Sequence, residues 1–163
     1  MHSHRWDARL PDWLVAVVAG FGAGGILMLL EIAWTLLAGG GSPWPLTRKI
    51  AAMMMGEDVL QAQGYGFSVL AMALAVHYVL GMAFGVVLAC IIAPFHFDSS
   101  DAMVLLTGAV FGLLLYAFNF YVMVKVFWWI ADLRGAPTVV AHLIFGMATA
   151  WMYRRLERPE PQR

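Results

Sequence analysis

Four polar side chains stand inside long apolar runs: Glu31, His77, Asn119 and His142. An acid, two imidazoles and an amide can hydrogen-bond, relay protons or ligate a metal. Such groups are costly in hydrocarbon and mark functional positions there. His77 lies four residues before Gly81, and His142 four before Gly146. Glu31 lies seven after Gly24, and Asn119 seven after Gly112. Spacings of four and seven keep residues on one helical face. The four groups are therefore expected to point where the glycines point, into one bundle, with Tyr116 joining their polar layer.

Three chemistries suit this set. The first is a hydrogen-bonded lock that fixes helix register. Such interhelical bonds contribute only about 0.6–2 kcal/mol each. The second is a transition-metal or haem site with His77 and His142 as ligands and Glu31 as a third ligand or proton acceptor. No local motif such as HExxH supports it. The third is a proton or small-solute path, with Glu31 and the histidines as relays. Weaker signals are read as structural. Met53, Met54 and Met55 are consecutive and point three ways from a helix. Gly64-Tyr65-Gly66 follows Ala62-Gln63 and lacks the Thr-Val of a potassium filter. Gly20-Phe21-Gly22-Ala23-Gly24-Gly25 has no strand before it, as a nucleotide loop would need.

These residues need apolar elements to position them, and the composition supplies those. The 163 residues are 62% hydrophobic and 12% charged, far from the roughly 25% charge of soluble domains. Net charge is zero, so no basic face for nucleic acid is expected. The single cysteine, Cys90, rules out a disulfide framework or a CxxC site. Apolar runs at 13–38, 67–92, 102–129 and 137–153 can each cross a membrane, which takes about 20 residues. The first is too long for the core of a cleaved signal peptide, about 7–15 residues. Residues 1–12 form a polar arm opened into the first helix by Pro11 and Asp12, and 154–163 a charged tail.

The fold expected is all-α: an integral membrane four-helix bundle spanning 13–153, with a short amphipathic surface helix in the first loop. In that loop Leu46, Ile50, Met53 and Met54 recur near helical spacing, with Arg48 and Lys49 opposite. Tryptophans including Trp6, Trp13, Trp34, Trp44 and Trp128 fall near span ends, as in an aromatic belt. Small residues are paired in every span: Gly20/Gly24, Gly81/Gly85, Gly108/Gly112 and Gly146/Ala150. Such pairs let helix backbones approach closely. From the 1.5 Å rise, Glu31 lies roughly 8 Å beyond the middle of its span, and the other three roughly 4–5 Å. With alternating span direction all four shift toward the end opposite the termini. The glycines mostly fall in the other half. Thr35, Tyr116 and Tyr121 are expected to line the polar layer, and Lys125 to snorkel outward. Arg5, Arg9, Arg154, Arg155, Arg158 and Arg163 share the termini's side, against Arg48, Lys49, Lys125 and Arg134 opposite. Positive-inside reasoning puts both termini in the cytoplasm.

Several stretches carry a resemblance: Pro45-Leu46-Thr47-Arg48-Lys49-Ile50-Ala51-Ala52, His77-Tyr78-Val79-Leu80-Gly81, Tyr116-Ala117-Phe118-Asn119-Phe120-Tyr121 and Ala141-His142-Leu143-Ile144-Phe145-Gly146. The chain resembles, over most of 13–154, a family of small bacterial four-span membrane proteins with no established activity. Its His-Leu-x-Phe-Gly stretch is the most recognisable part. Some members carry the label sodium:proline symporter, but such symporters are several times longer and built on paired repeats with broken helices. The resemblance implies the four-span architecture and the His77, Asn119 and His142 positions, and supplies no activity.

The reading is a multi-pass protein of the bacterial inner membrane, not an enzyme. It is expected to be a non-catalytic subunit or accessory factor of a larger membrane complex, a respiratory one being the class it suits. Its partners would be lipid and a membrane protein or further copies of itself. No cofactor is expected. The alternatives are a redox protein binding haem or a transition metal through His77 and His142, and a proton-coupled small-solute carrier.

Overall fold

A computed structural model describes residues 9–38, 41–64 and 66–157. Most of the polar arm with Trp6, Tyr65, and the end of the tail lie outside them. The chain is an all-α bundle of four long apolar helices, a multi-pass membrane protein by their length and composition. They are α1 (Trp13–Ala38), α4 (Phe67–Phe95), α5 (Asp101–Ala117) and α6 (Ala136–Leu156). Between α1 and α4 lie α2 (Trp44–Met55) and the single turn α3 (Asp58–Gln61).

Helix ends follow local chemistry. Asp12 caps α1, its Oδ1 accepting from Val15 N at 3.1 Å, so Pro11 precedes the helix rather than opening it. Gly56, at φ 90°, ends α2 in a backbone region that favours glycine. Pro94 occupies the last turn of α4, and His96 closes it at φ 54°. Ser100 caps α5, accepting from Met103 N at 3.1 Å.

The third span departs from a continuous helix to Trp129. Regular α-helix stops at Ala117. One π turn covers Phe118–Val122, and 3-10 turns cover Met123–Lys125 and Trp128–Leu133. The last span runs three residues further than expected, to Leu156.

The glycines zip the helices into two pairs. Gly20 of α1 meets Gly81 and Gly85 of α4, where a Cβ on Gly81 would lie 2.9 Å from Gly20 O. Gly108 and Gly112 of α5 lie on the backbone of α6 at Gly146 and His142. Such contact leaves no room for side chains, so dispersion between backbones holds each pair. The pairs join mainly through α1 and α6, while α4 and α5 touch sparingly. Near the termini, Ala16, Ala19, Leu88, Ile92, Val104 and Tyr153 fill the core, with Ala150 wholly buried among them.

Helix α2 is more than a surface helix. Ala51 and Ala52 are buried, and α2 packs along α4. Lys49 pairs with Asp132, Trp129 Nε1 donates to Lys49 O at 3.0 Å, and Trp128 Nε1 to Glu57 Oε1 at 3.2 Å. These contacts fasten α2 and α3 to the Trp128–Leu133 turn as one cap over this end of the bundle.

Candidate functional site

Beneath that cap is a cavity of about 290 Å³. Ile50 and Met53 of α2 and Ile130 and Leu133 of the 3-10 turn line it from the cap side. Leu27, Phe84, Leu115 and Phe145 line it from the bundle core, where they pack around Ala23. Its polar lining is Glu31 from α1, His77 from α4, Asn119 from the π turn and His142 from α6. All four spans thus contribute one polar side chain each.

Each imidazole is held by a carbonyl. His77 Nε2 donates to Gly24 O at 2.8 Å, joining α4 to α1. His142 Nδ1 donates to Thr138 O one turn earlier, at 2.8 Å. A carbonyl only accepts, so these nitrogens carry the protons. In neutral His142, Nε2 then presents a lone pair, and Asn119 Nδ2 donates to it at 3.3 Å. The π turn supplies that donor. It inserts one extra residue per turn and so re-aims Asn119 relative to the α-helical register set by Gly112. Aromatic rings pack against His142: Tyr116 and Phe120 lie 5.8 and 5.7 Å from its ring, both T-shaped. His142 itself is only 5% exposed.

Glu31 differs from the other three. Its carboxylate has no hydrogen bond or ion pair among the described residues; only its backbone carbonyl is engaged, by Thr35 Oγ1 at 2.8 Å. It also lines a second hollow of about 660 Å³, a groove between α1 and α6 bordered by Trp34, Thr35, Thr138 and Ile144. Glu31 is common to the lining of both.

Other expected members fall elsewhere. Tyr116 is buried beside His142 but packs with Phe120 and Trp129 rather than lining the cavity. Thr35 lines the groove. Tyr121 is exposed, with the Arg134 guanidinium 4.9 Å above its ring. Lys125 is exposed. Of the glycines, Gly24 serves the site through its carbonyl, and a Cβ there would find ordinary contact, 3.7 Å from Gly81 Cα. Helix α2 contributes more to the site than its amphipathic pattern alone predicts. The stripe Leu46, Ile50, Met53 and Met54, expected on a surface helix, lines the cavity, with Met54 also exposed at its edge.

The donor set bears directly on metal or haem binding. No three His, Cys, Asp or Glu side chains converge among the described residues. His142 uses both ring nitrogens within the chain, so an iron or metal there would have to displace Asn119 or the Thr138 carbonyl. His77 keeps Nδ1 free of hydrogen bonds among the described residues.

No family model, curated protein or solved structure matches this chain.

Proposed function

We propose that this chain is a non-catalytic accessory protein of the bacterial cytoplasmic membrane that holds a small, mainly apolar molecule beneath the α2 cap. The observation that carries the reading is the cavity itself. Small-molecule sites are concave, lined mostly by apolar side chains, with a few convergent polar groups to fix orientation. Here one polar group from each span meets in an otherwise apolar hollow. A role within a larger, respiratory type of assembly agrees with the exposed apolar faces of α1 and α5, such as Phe21, Leu29, Leu106 and Leu114, which suit lipid or a partner helix equally. Arg5, Arg9, Arg154, Arg155, Arg158 and Arg163, against Arg48, Lys49, Lys125 and Arg134 on the other side, support cytoplasmic termini.

A second reading, a proton-coupled carrier, is favoured by one observation: Glu31 lines both the cavity and the lateral groove. A single carboxylate serving two compartments is what a relay requires.

The test is gentle purification in mild detergent, followed by native mass spectrometry, absorption spectroscopy and metal analysis. The expected result is a bound small molecule that disappears in Ile50→Trp, where an indole fills the cavity. A protein that carries nothing and gains no thermal stability from any apolar compound overturns the reading. A Soret band or stoichiometric metal would transfer the site to the redox alternative.

A further inference from the structure

The hydrogen-bonding capacity left over in the cavity is of one kind. His77 Nε2 is committed as a donor to Gly24 O, so the neutral ring's remaining nitrogen, Nδ1, is an acceptor. His142 is satisfied at both nitrogens. Asn119 spends one amide N–H on His142 and keeps its carbonyl oxygen and a second N–H. Glu31 brings two carboxylate oxygens with no donor among the described residues. The unspent groups are therefore mainly acceptors, and one, the ionised Glu31, carries a full negative charge.

Three of the four cations on this side are engaged elsewhere, and the fourth, Lys125, is exposed and does not line the cavity. Lys49 pairs with Asp132. Arg48 donates to Gly64 O at 2.9 Å. Arg134 donates to Phe120 O at 2.8 Å and lies over Tyr121. The rest of the lining favours a cation too. Phe84, Phe118, Phe120, Phe127 and Phe145 surround the hollow, and aromatic faces attract positive charge in desolvated sites. Met53 and Met123 are adaptable and polarizable.

Building on the ligand-holding reading above, we infer that the cavity takes a protonated amine on a compact apolar body, its ammonium set against Glu31 with His77 Nδ1 and the Asn119 carbonyl as further acceptors. An ammonium has three donors and no acceptor, which complements this set. The body would occupy the space between Leu115, Phe145 and the α2 roof. The groove beside Trp34 and Ile144, which Glu31 also lines, offers a route from the lipid side.

The test compares two probes that share one apolar body and differ in the polar group, a cationic donor in adamantan-1-amine and a neutral hydroxyl in adamantan-1-ol, by calorimetric titration of the intact chain in detergent. The amine is expected to bind about tenfold or more tighter, the scale of one charge-assisted hydrogen bond. Glu31→Gln should cut the amine-over-alcohol ratio to within about twofold with the helical circular dichroism unchanged, while Glu31→Asp keeps part of it. Equal binding of amine and alcohol to the wild type overturns the cation assignment and leaves the cavity reading standing. Binding of neither by a folded protein overturns both. Because the wild-type comparison needs no variant, a failure of Glu31→Gln to fold does not remove the test.

Discussion

Asn119 donates to His142 across the α5–α6 pair at 3.3 Å, and it does so from a π turn rather than an α-helix. The bond has a direction, because the Thr138 carbonyl already fixes the proton on the other nitrogen of His142. A donor, not merely a polar group, is needed at Asn119.

Asn119→Leu should therefore leave the Nε2 lone pair facing an apolar cavity. The expected loss is about 1–2 kcal/mol of bundle stability, the range for interhelical hydrogen bonds in membranes. Denaturant titration in mixed micelles measures it. A stability equal to wild type would mean that the lone pair is hydrated and the bond contributes nothing.

Two glycines on facing stripes should respond in opposite ways to alanine. A Cβ at Gly85 would lie 2.5 Å from Ala16 O, whereas one at Gly24 meets nothing nearer than 3.7 Å. Gly85→Ala forces α1 and α4 apart and should cost about 1–3 kcal/mol. Gly24→Ala should be neutral, or stabilising by up to about 1 kcal/mol through helix propensity. Thermal unfolding of the two variants side by side decides it.

At the terminal end, Arg9 bridges Asp98 and Glu157, with all three side chains largely shielded. Arg154 pairs with an exposed Asp101. Arg9→Ala strands two shielded carboxylates and should destabilise by about 2–4 kcal/mol. Arg154→Ala should stay within about 1 kcal/mol, as exposed pairs do. Comparable losses in the two variants would contradict the ranking.

Burial pushes the Glu157 carboxyl above its ordinary value, and the neighbouring Arg9 only partly offsets this. The folded state then holds that proton more tightly than the unfolded chain does. The contribution is fully present below the ordinary value of 4.5 and is lost as pH rises through the raised one. Stability should fall over that window, and Glu157→Gln, which cannot ionise, should flatten the fall. Unfolding midpoints from pH 4 to pH 7, roughly the range over which such a carboxyl titrates, provide the check. A steeper fall in the variant would show that Arg9 outweighs burial.

Much of this protein is legible without coordinates. Four apolar runs fix four spanning helices, because a backbone in hydrocarbon must satisfy its own hydrogen bonds. Spacings of four and seven put Glu31, His77 and His142 on the glycine-bearing faces, since helical periodicity needs nothing beyond the chain itself. What periodicity cannot convey is which helix each face meets. Gly20 and Gly24 look alike in sequence, yet one touches the α4 backbone and the other offers its carbonyl to His77. The α2 stripe reads the same whether lipid or protein covers it, and only the Lys49–Asp132 and Trp129–Lys49 contacts assign it to a cap. The π turn at Asn119 arises where the span leaves its α-helical register, a local departure that no apolar repeat encodes. The sequence by itself determined the membrane bundle and its inward-facing polar residues, because these follow from hydropathy and helical pitch. Only the packed helices show that those residues share one capped cavity and that Glu31 enters it without a partner among the described residues, because pairing depends on contacts between distant segments.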